Sequence, residues 1–170
     1  MKKPSVYLDT SIISAYWYEG TDVGMQVRRM RTREWWDLER RHFEIWASDF
    51  TESELQEGVF RRQSECLKMV RRLRYLPATR EVYILIEDIM RLGLVPANKR
   101  GDAAHLATSA MRNIDYLLTW NYTHMANPIT QARLEKLCEQ MQVVAPWMVS
   151  PEQIPQVRFG KSIWRADKHG

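Results

Sequence analysis

The first predicted strand restricts the fold of this chain more than any other stretch. Residues 5–8 form a short apolar run of strand-forming side chains. The run is followed at once by Asp9, Thr10 and Ser11, whose side-chain oxygens accept hydrogen bonds from the free N–H groups at a helix start. A buried strand that leads directly into a helix is typical of an open α/β sheet, in which ligands bind beyond the carboxyl ends of the strands. We therefore expect Asp9 at the functional edge of the sheet.

Helices and strands alternate along the rest of the chain. Apolar residues at helical spacing, with breaks at Gly and Pro, predict helices over residues 10–18, 25–41, 51–58, 60–75, 82–92, 103–111 and 129–141. Short apolar runs predict strands over residues 5–8, 43–47, 116–119 and 143–144. This alternation predicts a parallel, right-handed α/β sandwich in one domain over residues 1–155, followed by a basic tail over residues 156–170.

The charge and the cysteines narrow the class of protein. The 170 residues carry a net charge of +4, which favours anionic partners, nucleic acid first. Cys66 and Cys138 are too few and too isolated for a disulfide framework or a zinc site, in keeping with a reducing compartment. The sequence has no signal-peptide core and no apolar stretch near the ~20 residues that span a bilayer. We therefore expect a cytoplasmic protein without a membrane segment.

Four polar residues follow predicted strands or open predicted helices: Asp9, Glu54, Asp102 and Asn121. Each has an ordinary structural role open to it. Asp9 could cap a helix, and Glu54 could be the reciprocal partner of Thr51 in a capping box. Asp102 could complement a helix dipole, and Asn121 could make a turn. Taken one at a time, these positions do not identify a site.

Four motifs that contain these residues occur in a set order. They are Val6-Tyr7-Leu8-Asp9-Thr10-Ser11, Ser53-Glu54-Leu55-Gln56-Glu57-Gly58, Asp102-Ala103-Ala104-His105-Leu106-Ala107 and Asp115-Tyr116-Leu117-Leu118-Thr119-Trp120-Asn121. In order and spacing, over about residues 6–154, the chain resembles the PIN-domain family, and most closely its VapC-like toxin branch. The resemblance implies a three-layer α/β/α sandwich with a central parallel sheet. It also implies a Mg²⁺- or Mn²⁺-dependent nuclease that usually acts on RNA.

The same resemblance implies a set of site residues. Asp9, Glu54 and Asp102 match the metal-binding carboxylates of the family, and Asn121 matches a position at which many members have a further Asp; these four are the candidate catalytic residues. The candidate supporting or substrate-binding residues are Thr10, Ser11, Thr119, His124, Lys99 and Arg100. Family members typically form homodimers, and a cognate antitoxin holds the toxin-like ones inactive, so we expect both kinds of partner.

Clustered carboxylates suit this chemistry because hard divalent cations take oxygen ligands. Carboxylates that lie close together raise one another's pKa values unless a cation lies among them. A bound cation lowers the pKa of its water and stabilises the charge that develops on the scissile phosphate. We therefore expect metal-assisted hydrolysis of RNA phosphodiester bonds.

The chain departs from the family pattern after one of its strands. Many members read Thr-x-Asp-x-Asp, whereas this chain has Thr119-Trp120-Asn121-Tyr122-Thr123, so both acidic positions are neutral. The remaining carboxylates should favour one tightly held metal. The neutral positions also keep open a catalytically weak PIN domain that binds RNA or a protein partner. A phosphotransfer domain with Asp9 as the acceptor ranks below both readings, because no second acidic residue stands beside Asp9.

Two histidines and two basic residues lie near the proposed site. His105 shares a helix face with Asp102, and we expect a satisfied, semi-buried residue there, with orientation of the carboxylate or contact with substrate as the alternatives. His124, in the loop beyond a strand end, is a candidate for phosphate contact or for capping. Lys99 and Arg100 adjoin the site and are predicted to contact a nucleic-acid backbone.

The helix predicted over residues 25–41 carries a candidate interface. If this helix is continuous, Trp36 points away from the side that carries Val27 and Leu38. An exposed Trp is unusual on a protein surface and is enriched at interfaces. Trp36 is therefore predicted to lie in a protein interface.

Overall fold

A parallel sheet of five strands forms the centre of residues 2–155, the part of the chain that the computed structural model describes. The strands are β1 (Ser5–Leu8), β2 (Glu44–Ser48), β3 (Arg74–Leu76), β4 (Tyr116–Leu118) and β5 (Trp147–Val149). Their order across the sheet is β3–β2–β1–β4–β5, so β1 is central and β3 and β5 are the edges. The predicted parallel sheet is confirmed. The basic tail predicted over residues 156–170 lies outside the described residues.

Helices connect the strands and cover both faces of the sheet. In chain order they are α1 (Thr10–Tyr16), α2 (Val23–Glu34), α3 (Asp49–Gln56), α4 (Gln63–Val70), α5 (Arg80–Arg91), α6 (Arg100–Met111) and α7 (Pro128–Gln140), with a π-helical turn at Trp35–Glu39 and a 3₁₀ turn at Arg40–His42 after α2. From residue 2 to residue 155, no helix has the length and apolar character needed to cross a membrane.

Successive side chains of β1 point into two hydrophobic cores, one on each face of the sheet. Val6 and Leu8 pack on the face covered by α1 and α4, whereas Tyr7 packs on the face covered by α5, α6 and α7. The predicted three-layer sandwich is thereby confirmed. Because both faces of β1 are covered, the polar side chain that follows it, Asp9, is held at the carboxyl edge of the sheet.

The helix after Gly20 differs from its prediction. It does not run unbroken over residues 25–41, because a π-helical turn at Trp35–Glu39 follows α2. Val27 and Leu38 are exposed, whereas Trp36 is half-buried against the core beneath α1 and α4. The predicted exposure of Trp36 is therefore wrong, and its place in a protein interface stays a prediction. The reason is that the apolar residues taken for the buried side of the helix lie on its outer side.

The apolar pattern misses one edge strand and misplaces the other. Residues 60–75 are predicted as one helix, but α4 ends at Val70 and β3 follows at Arg74–Leu76. Residues 143–144 are predicted as the last strand, but Val144 is exposed and β5 lies at Trp147–Val149. A three-residue strand is too short to show alternation, so the pattern carries little signal at either edge.

The start of α3 also corrects a prediction. Ser48, the last residue of β2, caps this helix, and its hydroxyl accepts a hydrogen bond from the backbone N–H of Thr51. The capping box between Thr51 and Glu54 is therefore wrong, and Glu54 lies beyond the first turn of α3. The Thr51 hydroxyl instead donates to the Leu8 carbonyl at 3.2 Å. Glu54 is thus free of a capping role.

Candidate functional site

Asp9 is the buried centre of the candidate site. It caps α1, and its Oδ1 accepts hydrogen bonds from the backbone N–H (3.0 Å) and the hydroxyl (2.6 Å) of Ser11. Its Oδ2 accepts a hydrogen bond from the hydroxyl of Thr119. The side chain is only 3% exposed, and burial raises its pKa against the opposing effects of His105, Ser11 and Thr119. Asp9 is both the helix cap that its position suggests and a buried carboxyl group at the edge of the sheet.

The loop after β4 is tied to the start of α1 through two hydroxyl groups. Thr119 Oγ1 accepts a hydrogen bond from the backbone N–H of Asn121 at 2.9 Å. Ser11 Oγ accepts one from the backbone N–H of Trp120, also at 2.9 Å. Because the same hydroxyls donate to Asp9, they fix the distance between two neighbouring strand ends. This explains why small hydroxyl residues occupy both positions.

Asn121 joins this loop to α6. Its Nδ2 donates to Oδ2 of Asp102 at 3.1 Å, and its Oδ1 accepts from the backbone N–H of His124 at 2.9 Å. Burial raises the pKa of Asp102, and the neighbouring His105, His124 and Asn121 oppose that rise. Asn121 therefore makes a turn, as its ordinary role predicts, and also holds one of the three carboxylates.

Glu54 reaches the same edge from α3. Its Oε2 accepts a hydrogen bond from the hydroxyl of Thr10 and lies 3.1 Å from Nε2 of His105. Its Oε1 lies over Gly101, where an added Cβ would come within 2.0 Å of that oxygen. Only glycine at position 101 leaves room for the carboxylate in this position.

His105 connects Glu54 to the central strand. It is 1% exposed, and its Nδ1 lies 2.7 Å from the hydroxyl of Tyr7. That hydroxyl also lies 2.7 Å from Ser48 Oγ and 3.2 Å from Thr51 Oγ1. The prediction of a satisfied histidine is confirmed, and the residue is fully buried. The residue that contacts its Nε2 is Glu54, one of the candidate metal ligands.

The charges of this pair support each other. Burial acts to lower the pKa of His105, but the Tyr7 hydroxyl and the carboxylates of Glu54 and Asp9 raise it well above its usual value. Burial acts to raise the pKa of Glu54, but the hydrogen bonds from His105 and Thr10 and the charge of His105 lower it. Each of the two groups therefore favours the charged form of the other.

Both basic residues at the start of α6 are exposed, and one of them is paired with a carboxylate of another helix. Arg100 donates a hydrogen bond to Glu87 of α5 and forms an exposed ion pair with it. Lys99 is exposed at the N-terminal end of the helix. Their contact with a nucleic-acid backbone remains a prediction.

The donor chemistry at this edge fits a hard divalent cation. Asp9, Glu54 and Asp102 come from three different elements, and two of them have raised pKa values that a nearby cation would lower. Within residues 2–155, however, no three His, Cys, Asp or Glu side chains form a ready-made ligand group. Each carboxylate is held instead by donors from the protein, and both oxygens of Asp9 accept such hydrogen bonds, so a cation bound at Asp9 would have to share or replace one of them.

Several residues that shape the site were not singled out by the sequence. They are Tyr7, Ser48, Thr51 and Gly101. For two of them, Tyr7 and Gly101, the sequence contains a weak signal. A Tyr inside a fully buried strand needs a partner for its hydroxyl, and a Gly directly before a candidate ligand indicates close approach of another group.

Comparison with known proteins identifies the fold. No protein-family model and no curated protein matches the chain. Among solved structures, the chain is similar to one in VapBC2 from Rickettsia felis bound to a DNA fragment from its promoter, with a TM-score of 0.52, 12% identity, and coverage of 85% of this chain and 97% of that one. It is also similar to one in FitAcB from Neisseria gonorrhoeae, with a TM-score of 0.50, 12% identity, and coverage of 88% and 99%. The chain therefore shares its α/β fold with a component of both structures.

Proposed function

We propose that this protein is a metal-dependent ribonuclease of the PIN-domain type, and the toxin of a toxin–antitoxin pair. One observation supports the proposal most strongly. Three carboxylates far apart in sequence, Asp9, Glu54 and Asp102, lie at one edge of the sheet and are joined through Thr10, Ser11, Thr119, Asn121 and His105. Strand ends of a parallel sheet are where such folds place ligands.

Each part of the network has a task in this proposal. Asp9, Glu54 and Asp102 would hold a Mg²⁺ or Mn²⁺ ion, which supplies a water of lowered pKa and stabilises charge on the phosphate. Ser11 and Thr119 keep the Asp9 carboxylate in one orientation. Thr10 and His105 do the same for Glu54. Asn121 places Asp102 against the loop after β4.

A protein partner belongs to the proposal. The two similar structures are toxin–antitoxin complexes, which supports an antitoxin for this chain. The outer side of α2 carries Val23, Val27 and Met30, all exposed, at the spacing that places them on one helix face. An apolar face of this kind suits the apolar side of a partner helix. We propose it as a contact surface for an antitoxin, and homodimer formation as a second association.

Cleavage of RNA tests the catalytic part. Purified protein is expected to cleave a generic single-stranded RNA when Mn²⁺ is added, and EDTA is expected to stop the reaction. Asp9→Asn should remove the activity, whereas Asp37→Asn, at an exposed position in the π-helical turn, should leave it intact. Full cleavage by Asp9→Asn would show that the role given to Asp9 is wrong.

A catalytically weak binding module is the second candidate. It is favoured by the neutral Asn121, whose amide donates to Asp102 where a further acidic ligand would stand in the family pattern. It is also favoured by the protein donors that already contact one or both oxygens of each of the three carboxylates. Binding of RNA without cleavage at any Mn²⁺ concentration would select this candidate over the nuclease.

A further inference from the structure

A cavity of about 260 Å³ lies directly beside the candidate site, between α3, α5 and α6. Glu54 and Gly101 form part of its wall, so the cavity is continuous with the carboxylate edge. Neither the proposed chemistry nor the hydrophobic cores account for it.

The apolar part of this cavity includes two aromatic rings beside Ile86 and Ala104. Phe50 and Tyr83 line it, with their ring centroids 6.0 Å apart and their planes at 73°. Tyr83 is 47% exposed, which leaves much of its ring open to a ligand. Flat aromatic faces beside an opening are the surfaces on which unpaired bases of single-stranded nucleic acid stack.

The polar part of the cavity consists mainly of hydrogen-bond acceptors. Glu54 and Glu57 contribute carboxylates. The cation in the wall, Arg100, is already paired with Glu87. A phosphate would meet two negative charges here, whereas a neutral ring with N–H donors would be accepted. Carboxylates accept hydrogen bonds from the amino group of cytosine, and adenine and guanine carry amino groups of the same kind.

We propose that this cavity binds one base of a single-stranded RNA, next to the phosphate that lies at the carboxylates. The base stacks on Tyr83, and its exocyclic amino group donates to Glu57. The pocket therefore prefers adenine, cytosine or guanine, which carry such an amino group, over uracil, whose N3–H lies between two carbonyl oxygens that a carboxylate repels. This inference rests on the proposed function in one respect, that the ligand is RNA. It does not require that the protein cleaves that RNA.

Binding with Ca²⁺ in place of Mn²⁺ tests the pocket separately from cleavage, because a hard cation still neutralises the carboxylates beside the phosphate. The probes are fluorescein-labelled hexamers of cytidine, adenosine and uridine, and the readout is fluorescence anisotropy. Wild-type protein is expected to bind the cytidine and adenosine hexamers more tightly than the uridine hexamer. Tyr83→Ala should weaken binding of the first two about tenfold, the effect of removing one stacked base. Tyr83→Phe should bind like wild type, because it keeps the ring.

Ile84 provides a matched control. It is 48% exposed on the same helix as Tyr83 and does not line the cavity. Ile84→Ala should leave affinity unchanged, and thermal melting should show that all variants fold. Glu57→Gln should reduce the preference for cytidine over uridine.

The outcomes separate the two proposals. If the RNA hexamers bind through Tyr83 but no RNA is cleaved, the pocket stands and the nuclease proposal fails. Unchanged affinity in Tyr83→Ala, an equal loss in Ile84→Ala, or no binding by wild type would overturn the pocket, whatever the cleavage assay shows. If Tyr83→Ala lost binding to a protein partner but kept its affinity for the RNA hexamers, the cavity would belong to that partner, and the inference would be overturned.

Discussion

His105 Nε2 lies 3.1 Å from Glu54 Oε2, although 51 positions separate the two residues in the chain. The contact joins α6 to α3 at the carboxyl edge of the sheet. Behind it, the hydroxyl of Tyr7 fixes the other ring nitrogen from β1. A buried imidazole held at both nitrogens gives Glu54 a defined position without contacting the solvent side of the site.

Removal of this imidazole should cost stability. His105→Ala leaves the buried hydroxyl of Tyr7 with one partner fewer and removes the partner of Glu54. We expect the free energy of unfolding to fall by on the order of 2 kcal/mol, measured by urea denaturation. The half-buried His42 is the control, and His42→Ala should change the value by less than about 0.5 kcal/mol. Equal effects of the two substitutions would contradict the role of the network.

Asp9→Asn should separate stability from activity. Burial raises the pKa of Asp9, so keeping this carboxylate charged at neutral pH costs folding free energy. Asn keeps the helix cap through its Oδ1 and removes the charge, but its amide group takes the place of the oxygen that accepts from Thr119. These two effects oppose each other, so we expect the free energy of unfolding to stay within about 1 kcal/mol of wild type, while Mn²⁺-dependent cleavage falls at least about 100-fold. Denaturation and cleavage assays on the same preparation check this, and a larger loss of stability would contradict it.

Gly101→Ala should act on the position of Glu54 alone. The new Cβ would lie 2.0 Å from Oε1 of Glu54, and the flexible carboxylate would move away at little energetic cost. We expect cleavage to fall at least about tenfold while stability stays within about 1 kcal/mol of wild type. Gly24, also the second residue of a helix, is the control. If Gly24→Ala lost as much activity, the steric explanation would fail.

Asn121→Asp should make the site depend on a cation. The substitution replaces a donor with an oxygen about as far from Asp102 Oδ2 as the present 3.1 Å, so two carboxylates would repel each other. We expect a lower melting temperature without metal and Mn²⁺ binding tightened about tenfold, measured by calorimetry. Unchanged or weaker Mn²⁺ binding would place Asn121 away from the metal.

The two thiols should be inert in the folded protein. Burial raises the pKa of Cys66 to about 12 and that of Cys138 to about 11. At pH 8 a disulfide reagent such as Ellman's is therefore expected to react slowly with native protein and to report two thiols after denaturation.

The raised pKa values of the two thiols also determine how the stability of the protein changes with pH. Both thiol pKa values are higher in the folded than in the unfolded chain. The contribution of the protonated thiols to folding stability is therefore complete below about pH 8.5 and is lost as pH rises towards 11–12. A double Cys66→Ala, Cys138→Ala variant should lose less stability over that range. Identical alkaline unfolding of both proteins would refute the assignment.

The features that were predicted correctly from the sequence are those that depend on a local pattern of residues. Residues 5–8 form a strand and Asp9 caps the next helix, because apolar strand formers followed by a helix cap are a strong local signal. The layered fold and the shared edge of Asp9, Glu54 and Asp102 followed from strand alternation and from the family resemblance. These features do not need knowledge of side-chain packing.

The features that were predicted wrongly or missed depend on tertiary contacts. The capping box at Thr51 was wrong because Ser48 took the cap, which left the Thr51 hydroxyl for Leu8. The placement of Trp36 was wrong because apolar character was equated with burial, whereas Val27 lies on the outer surface. The contact between His105 and Glu54 depends on how α3 and α6 pack, which no local pattern encodes.

The sheet ends on each side in a strand of only three residues, β3 and β5. So few free backbone groups offer a poor template for strand addition by another chain, a common route to aggregation. We therefore expect association with other proteins to use helical surfaces, and the protein to stay dispersed at concentrations at which proteins with long open sheet edges precipitate.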